Sequence, residues 1–172
     1  MIILAPNIHF HDDVFFRASA RFVEAFQAMW SRMREAARNV LLAFFETKPC
    51  HVHLCFKMDL DVRRDEPWGR CAPATDKVFL TFLVPFMERA DNDEGVIGVI
   101  AHELAHCHNH ATGKYVADED AEEKQVSELL ASWGFDDSIG YSDEWKAAVE
   151  MWRACRELSF GQHTEKQLFG VA

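Results

Sequence analysis

Two histidines four residues apart, with a glutamate directly after the first, give His102-Glu103-Leu104-Ala105-His106 the spacing at which a helix can hold a metal ion. At about 100° per residue, the two rings lie roughly 40° apart around the axis and about 6 Å apart along it. Both can therefore reach one ion, and zinc is the expected cation for an H-E-x-x-H string. Glu103 falls about a quarter-turn from His102, where it need not ligate and is free to take a proton from a water at the metal. Two surface histidines on an amphipathic helix would spell the same letters. The flanking residues decide between the two readings.

Those residues predict a helix that starts at the acidic run Asp91-Asn92-Asp93-Glu94 and ends at Thr112-Gly113. Asp91 to Asp93 offer an N-cap, Glu94 suits the positive end of the helix dipole, and glycine is the usual stop. On the wheel Ile97, Ile100, Ala101 and Leu104 make an apolar stripe. Val99, His102, Glu103 and His106 fall on the other side, as the floor of a cleft would require.

Asn92 to His106 resembles the active-site helix of gluzincin metallopeptidases, with its acidic start and apolar approach to the paired histidines. In that clan a glutamate on the following helix completes the metal site. Here Glu123-Lys124-Gln125-Val126-Ser127, followed by Leu129-Leu130 and Trp133-Gly134-Phe135, is similar to the third-ligand helix of such proteins and of the compact ImmA/IrrE-type peptidases. The resemblance spans about residues 77 to 135. It implies a minimal zincin-like fold, a Zn²⁺ held by His102, His106 and Glu123, and Glu103 as general base in the hydrolysis of a peptide or protein substrate. One position departs from the pattern: Ser127 stands where relatives often carry an acid that supports a ligating histidine, so that support has to come from elsewhere.

The helical wheel by itself leaves Glu119, Glu122 and Glu123 open as the third ligand, because all three lie within about 60° of the stripe Val126, Leu129, Leu130 and Trp133. Glu119 stands at the very start of its helix, before the chain has come level with the histidines. The resemblance favours Glu123, then Glu122. Asn109 and Thr112 occupy the positions where a metzincin needs glycine and histidine. His110, roughly 12 Å along the axis from His102, is too far to share its metal and reads as a supporting group or a polar helix end.

The remaining sequence predicts what must hold this pair of helices. Phe15, Phe22, Phe26, Met29, Trp30, Met33, Ala37, Val40, Leu41 and Phe44 recur near a 3.6-residue period, which predicts a helical N-terminal half with a break near Asn39. Val52, Leu54, Phe56 and Met58 alternate with His51, His53, Cys55 and Lys57, as in a strand, and set His51 and His53 on one face with no further ligand in view. Lys77 to Val84 predicts a second strand, and the resemblance makes it the rim of the cleft, where an extended peptide would pair with an open edge. A buried core strand is the competing reading. Asp65 to Ala74 reads as a linker, and Ser142 as the start of an amphipathic C-terminal helix through Trp145, Val149 and Trp152. Tyr115, Tyr141, Arg153 and His163 are candidate donors to a reaction oxyanion.

Composition bounds the rest. With 172 residues, 49% of them hydrophobic, the chain is long enough for one α+β domain spanning 1–172, mostly helical with a small sheet. A net charge of -10 speaks against a nucleic-acid partner, and Arg32, Arg34 and Arg38 read as a solvated helix face. The apolar start Met1-Ile2-Ile3-Leu4-Ala5-Pro6 lacks the basic flank and length of a signal or a membrane span. Five cysteines without a C-x-x-C pair predict reduced thiols and a cytoplasmic location, with Cys107 in a packing role. A catalytically silent zincin-like module, binding a partner protein around a structural zinc, is the alternative to the peptidase.

Overall fold

Pro6-Asn7 turns the chain back on itself within its first eleven residues. A computed structural model describes residues 1–11, 16–55, 69–83 and 93–135, all within one compact unit, Met1–Gly140. Asn7 adopts a left-handed backbone (φ 59°), a conformation asparagine tolerates better than most side chains. It joins β1 (Ile2–Ala5) to β2 (Ile8–His11) as an antiparallel pair. This strand pair precedes the expected helical run, and the sequence predicts no element there. Four-residue strands offer too few alternations for a period to register, although Ile8 and Phe10 are fully buried and His9 and His11 are not.

The predicted helical run is two helices, α1 (Phe16–Arg32) and α2 (Glu35–Thr47). Their break falls at Met33-Arg34, earlier than the expected Asn39, with Arg34 in an extended conformation (φ -61°, ψ 139°). The Arg38 guanidinium donates to the carbonyl oxygen of Trp30 at 3.1 Å and so covers a group that the end of α1 leaves open. Breaking there lets Phe22, Phe26 and Met29 on α1, and Leu41 and Phe45 on α2, all reach the interior as the two helices pack against the same later helix.

Five strands form one mixed sheet in the order β1-β2-β3-β5-β4, with β3 at Cys50–Cys55, β4 at Gly69–Pro73 and β5 at Val78–Leu83. β2, β3 and β5 run parallel, and β1 and β4 lie antiparallel at the two edges. Two expectations are corrected here. Part of the supposed linker, Gly69 to Pro73, is an edge strand. β5 is flanked on both sides, so it is a core strand with Val78, Leu80 and Phe82 buried, and the edge facing away from β5 belongs to β4. Phe10 and Phe82 reach from the sheet to Phe22, with ring centroids 5.1 Å and 5.0 Å away. That contact joins the sheet to the helical layer.

Two further helices, α3 (Asp93–Ala111) and α4 (Glu119–Trp133), complete the described architecture, an α+β fold that is mostly helical with a small sheet. α3 is covered on nearly every side, since Val96, Val99, Ile100, Leu104, Ala105 and Cys107 are all buried against α1, α2, α4 and β4. The wheel predicted one apolar stripe. A helix apolar almost all round is a core helix, and this one carries the histidine pair among the packed elements of the described residues. Its acidic start is tied to α1 by Arg21–Asp93 at 2.9 Å and Arg32–Glu94 at 2.8 Å, exposed pairs worth about 0.2–1 kcal/mol each. Arg32 also lies over the Phe135 ring, so it is a docking group rather than part of a freely solvated face. No helix among the described residues is long and apolar enough to cross a membrane. The C-terminal helix expected from Ser142 lies outside the described residues, as do Phe56 to Met58 and Val84.

Candidate metal centre

Both helices of the histidine pair and its partner glutamates are delimited by their own sequence. α3 ends in a Schellman turn: Gly113, with φ 67°, donates to His110 at 3.3 Å, and Lys114 donates to Asn109 at 2.9 Å. α4 begins at Asp118, whose carboxylate accepts from the Ala121 amide at 2.9 Å, a cap worth about 1 kcal/mol. It ends as it began, on a local signal. Gly134, with φ 83°, donates to Ala131 and Phe135 donates to Leu130, which closes the Trp133-Gly134-Phe135 stop seen in the sequence. The short connection between these ends packs α4 on α3.

The packing brings Glu123 onto both histidines. The Nε2 atoms of His102 and His106 are 3.2 Å apart. The Glu123 carboxylate sets one oxygen 3.3 Å from His102 Nε2 and the other 3.4 Å from His106 Nε2. Ligands bound tetrahedrally at about 2.0–2.1 Å stand about 3.3–3.4 Å from one another, close to the spacing of the two Nε2 atoms and of each from its nearer carboxylate oxygen. Among the described residues they are the one group of three such side chains whose donor atoms converge, within 4.8 Å of one another. A set of two nitrogens and an oxygen fits a borderline divalent cation.

Glu122 takes a different place from its neighbour. Its Oε1 accepts from His106 Nδ1 at 2.9 Å, with both side chains largely buried. A proton held on Nδ1 leaves the Nε2 lone pair facing Glu123 and His102, which fixes both tautomer and ring orientation. Glu122 thus supplies the histidine support that the serine at 127 cannot. Ser127 itself is exposed. Glu119 is the first residue of α4, and its side chain lies outside the described residues.

The electrostatics favour positive charge at this spot. Burial works against a charged His106 ring, yet Glu123, Glu103 and Glu122 outweigh burial and the opposing His102, and hold its pKa above the ordinary value. Hydrogen bonds from His102 and then His106 keep the Glu123 carboxyl far below the usual carboxylate range. Glu103 is only 5% exposed, although the helical wheel set it on the open side. Its charge acts on His106 from within the helix layer, one residue from His102 and outside the converging set.

The neighbouring candidates separate cleanly. His110 stacks on Tyr115 with centroids 4.4 Å apart, at the polar end of α3. His108 meets Trp133 edge-on at 5.5 Å. Cys107 is buried with its sulfur 3.4 Å from that of Cys71 on β4, and burial, then Cys71, push its thiol pKa up. That contact joins the edge strand to α3. Tyr141, Arg153 and His163 lie outside the described residues. Comparison with protein-family models, with curated proteins and with solved structures finds no match, so the site rests on its own geometry and on the sequence pattern.

Proposed function

We propose that this chain is a zinc-dependent metallopeptidase of the gluzincin type. The observation that carries the reading is the convergence of His102, His106 and Glu123 on one small volume, with a buried Glu103 beside them that does not join the set. When bound there, a zinc ion supplies Lewis acidity, which makes a water a good nucleophile at neutral pH and polarises a carbonyl. The chain's own groups do the rest. His102 and His106 offer Nε2 lone pairs, Glu123 offers a carboxylate oxygen, and Glu122 holds His106 by its Nδ1 proton. Glu103 accepts the proton of the attacking water and delivers it to the amide nitrogen as the carbon–nitrogen bond breaks.

A peptide would enter along β4, the edge strand pinned against α3 through Cys71 and Cys107. Its outer backbone groups are the ones an extended substrate can pair with. Free thiols at Cys50, Cys71 and Cys107 support a reducing, cytoplasmic setting.

Glu103→Gln tests the proposal against the catalytically silent, zinc-stapled binding module. Glutamine keeps the shape and can hydrogen-bond a water, but it cannot take its proton. Zinc content and folding should persist while cleavage of a diverse peptide library falls by about 10²–10⁴-fold. Equal cleavage by both forms refutes Glu103 as the base. A wild type that cleaves nothing while binding zinc makes the silent module the better description.

A further inference from the structure

Four of the remaining histidines meet on the sheet. β2 and β3 run parallel and in register, so His9 stands beside His51 and His11 beside His53. Alternation turns all four to one face, opposite Ile8, Phe10, Cys50 and Val52, which are buried in the core. His11 Nε2 and His51 Nδ1 are 2.8 Å apart. The His11 and His53 rings stack with centroids 4.5 Å apart and 5° between planes, and the His9 ring lies 5.6 Å from His51. Phe79, next in register to His51, sits 6.0 Å from both the His51 and the His53 rings.

We propose that His9, His11, His51 and His53 form a second metal site for a borderline divalent cation such as Ni²⁺ or Cu²⁺, with His11 Nε2 and His51 Nδ1 as its first two ligands. This site lies on different elements from the helix centre and does not depend on the metallopeptidase reading. Two facing imidazole nitrogens 2.8 Å apart share one proton, and a bound cation needs them only a few tenths of an ångström further apart. The third donor is at hand: His9 Nδ1 is buried and has no hydrogen-bond partner among the described residues. A bound ion would draw in a nitrogen of His9 or His53 by turning that ring about its broad terminal torsion. An all-imidazole donor set suits copper, nickel and zinc, whereas Ca²⁺ and Mg²⁺ ask for oxygen. Pairing of the two strands fixes which rings stand beside one another, so the metal has only ring rotations to order.

The test uses the full chain carrying His102→Ala and His106→Ala, which disables the helix centre. Titration with Ni²⁺ should show one ion per chain, and adding His11→Asn and His51→Asn should weaken that binding at least tenfold. Loaded with Cu²⁺, the protein with an intact sheet should show hyperfine coupling to two or more imidazole nitrogens by electron paramagnetic resonance. Ni²⁺ affinity unchanged by the sheet substitutions overturns the proposal. If the combined variant does not fold, the Cu²⁺ spectrum of the intact-sheet protein decides alone, and fewer than two imidazole nitrogens overturns it.

Discussion

Replacing Glu122 and Glu123 one at a time separates a carboxylate that holds a ligand from one that is a ligand. Glu123→Ala removes a carboxylate whose two oxygens lie 3.3 Å from His102 Nε2 and 3.4 Å from His106 Nε2, leaving a pair of histidines. Zinc affinity should fall by more than a hundredfold, over about 2.7 kcal/mol. Glu122→Ala leaves all three donors but frees the His106 ring at Nδ1 and removes one of the charges that favour a cation. Loss of such an outer partner costs about 10–100-fold in metal affinity, or about 1.4–2.7 kcal/mol. Glu122→Gln keeps an amide oxygen for the Nδ1 proton and loses only charge, so its effect should stay under about tenfold. Competition for Zn²⁺ against a chromophoric chelator at neutral pH ranks the three variants. The reasoning is refuted if Glu122→Ala strips zinc while Glu123→Ala retains it, or if glutamine at 122 is as harmful as alanine.

Three further outcomes follow from the same structure. Saturating the chain with Zn²⁺ at a hundredfold excess over Kd should stabilise it by about 2.7 kcal/mol, a rise of roughly 5–10 °C in Tm that a chelator reverses; when His102→Ala or His106→Ala is made in a chain that also carries His11→Asn and His51→Asn, the chelator should no longer move Tm. Phe22→Ala removes a fully buried ring packed on Phe10 and Phe82, and should cost about 3–5 kcal/mol in denaturant unfolding, against little change for an exposed site such as Glu24→Ala. With the His51 pKa lowered in the folded protein by burial, His11, His9 and Lys77, and raised only by Asp76, the unfolded chain binds the extra proton. Its contribution is therefore intact above the unfolded value and lost as pH falls through about 6.5 toward the folded value, so metal-free His51→Asn should lose less stability than wild type over that interval in parallel thermal melts.

What could be read from the sequence was what repeats over a long element or lies within one helical turn. The limits of α3 and α4 were legible because Asp118, Gly113 and Gly134 act on backbone groups a few residues away. The hairpin at Pro6-Asn7 and the strand Gly69 to Pro73 were not. β4 is five residues long and contains glycine and proline, which weaken any strand signal, and it is a strand because β5 offers it a partner. For the same reason the sequence left β5 between a cleft rim and a buried core strand, and only its partners on both sides decide for the core strand. Side-chain alternation identifies a strand, but nothing local says whether its edges are paired.

The division of labour between Glu122 and Glu123 depends on the same boundary between local and tertiary information. Adjacent helical residues point about 100° apart, so two neighbouring glutamates on α4 cannot both face the Nε2 atoms. Where α4 crosses α3, one carboxylate meets the converging nitrogens of both histidines and the other reaches the opposite nitrogen of His106 alone. A serine at 127 therefore does not leave that ring unsupported, because Glu122, just before Glu123, accepts from its Nδ1. The wheel placed both glutamates toward the core without ranking them. The crossing of two capped helices ranks them, and it also puts Glu103, buried on α3, beside the same histidine that Glu122 orients.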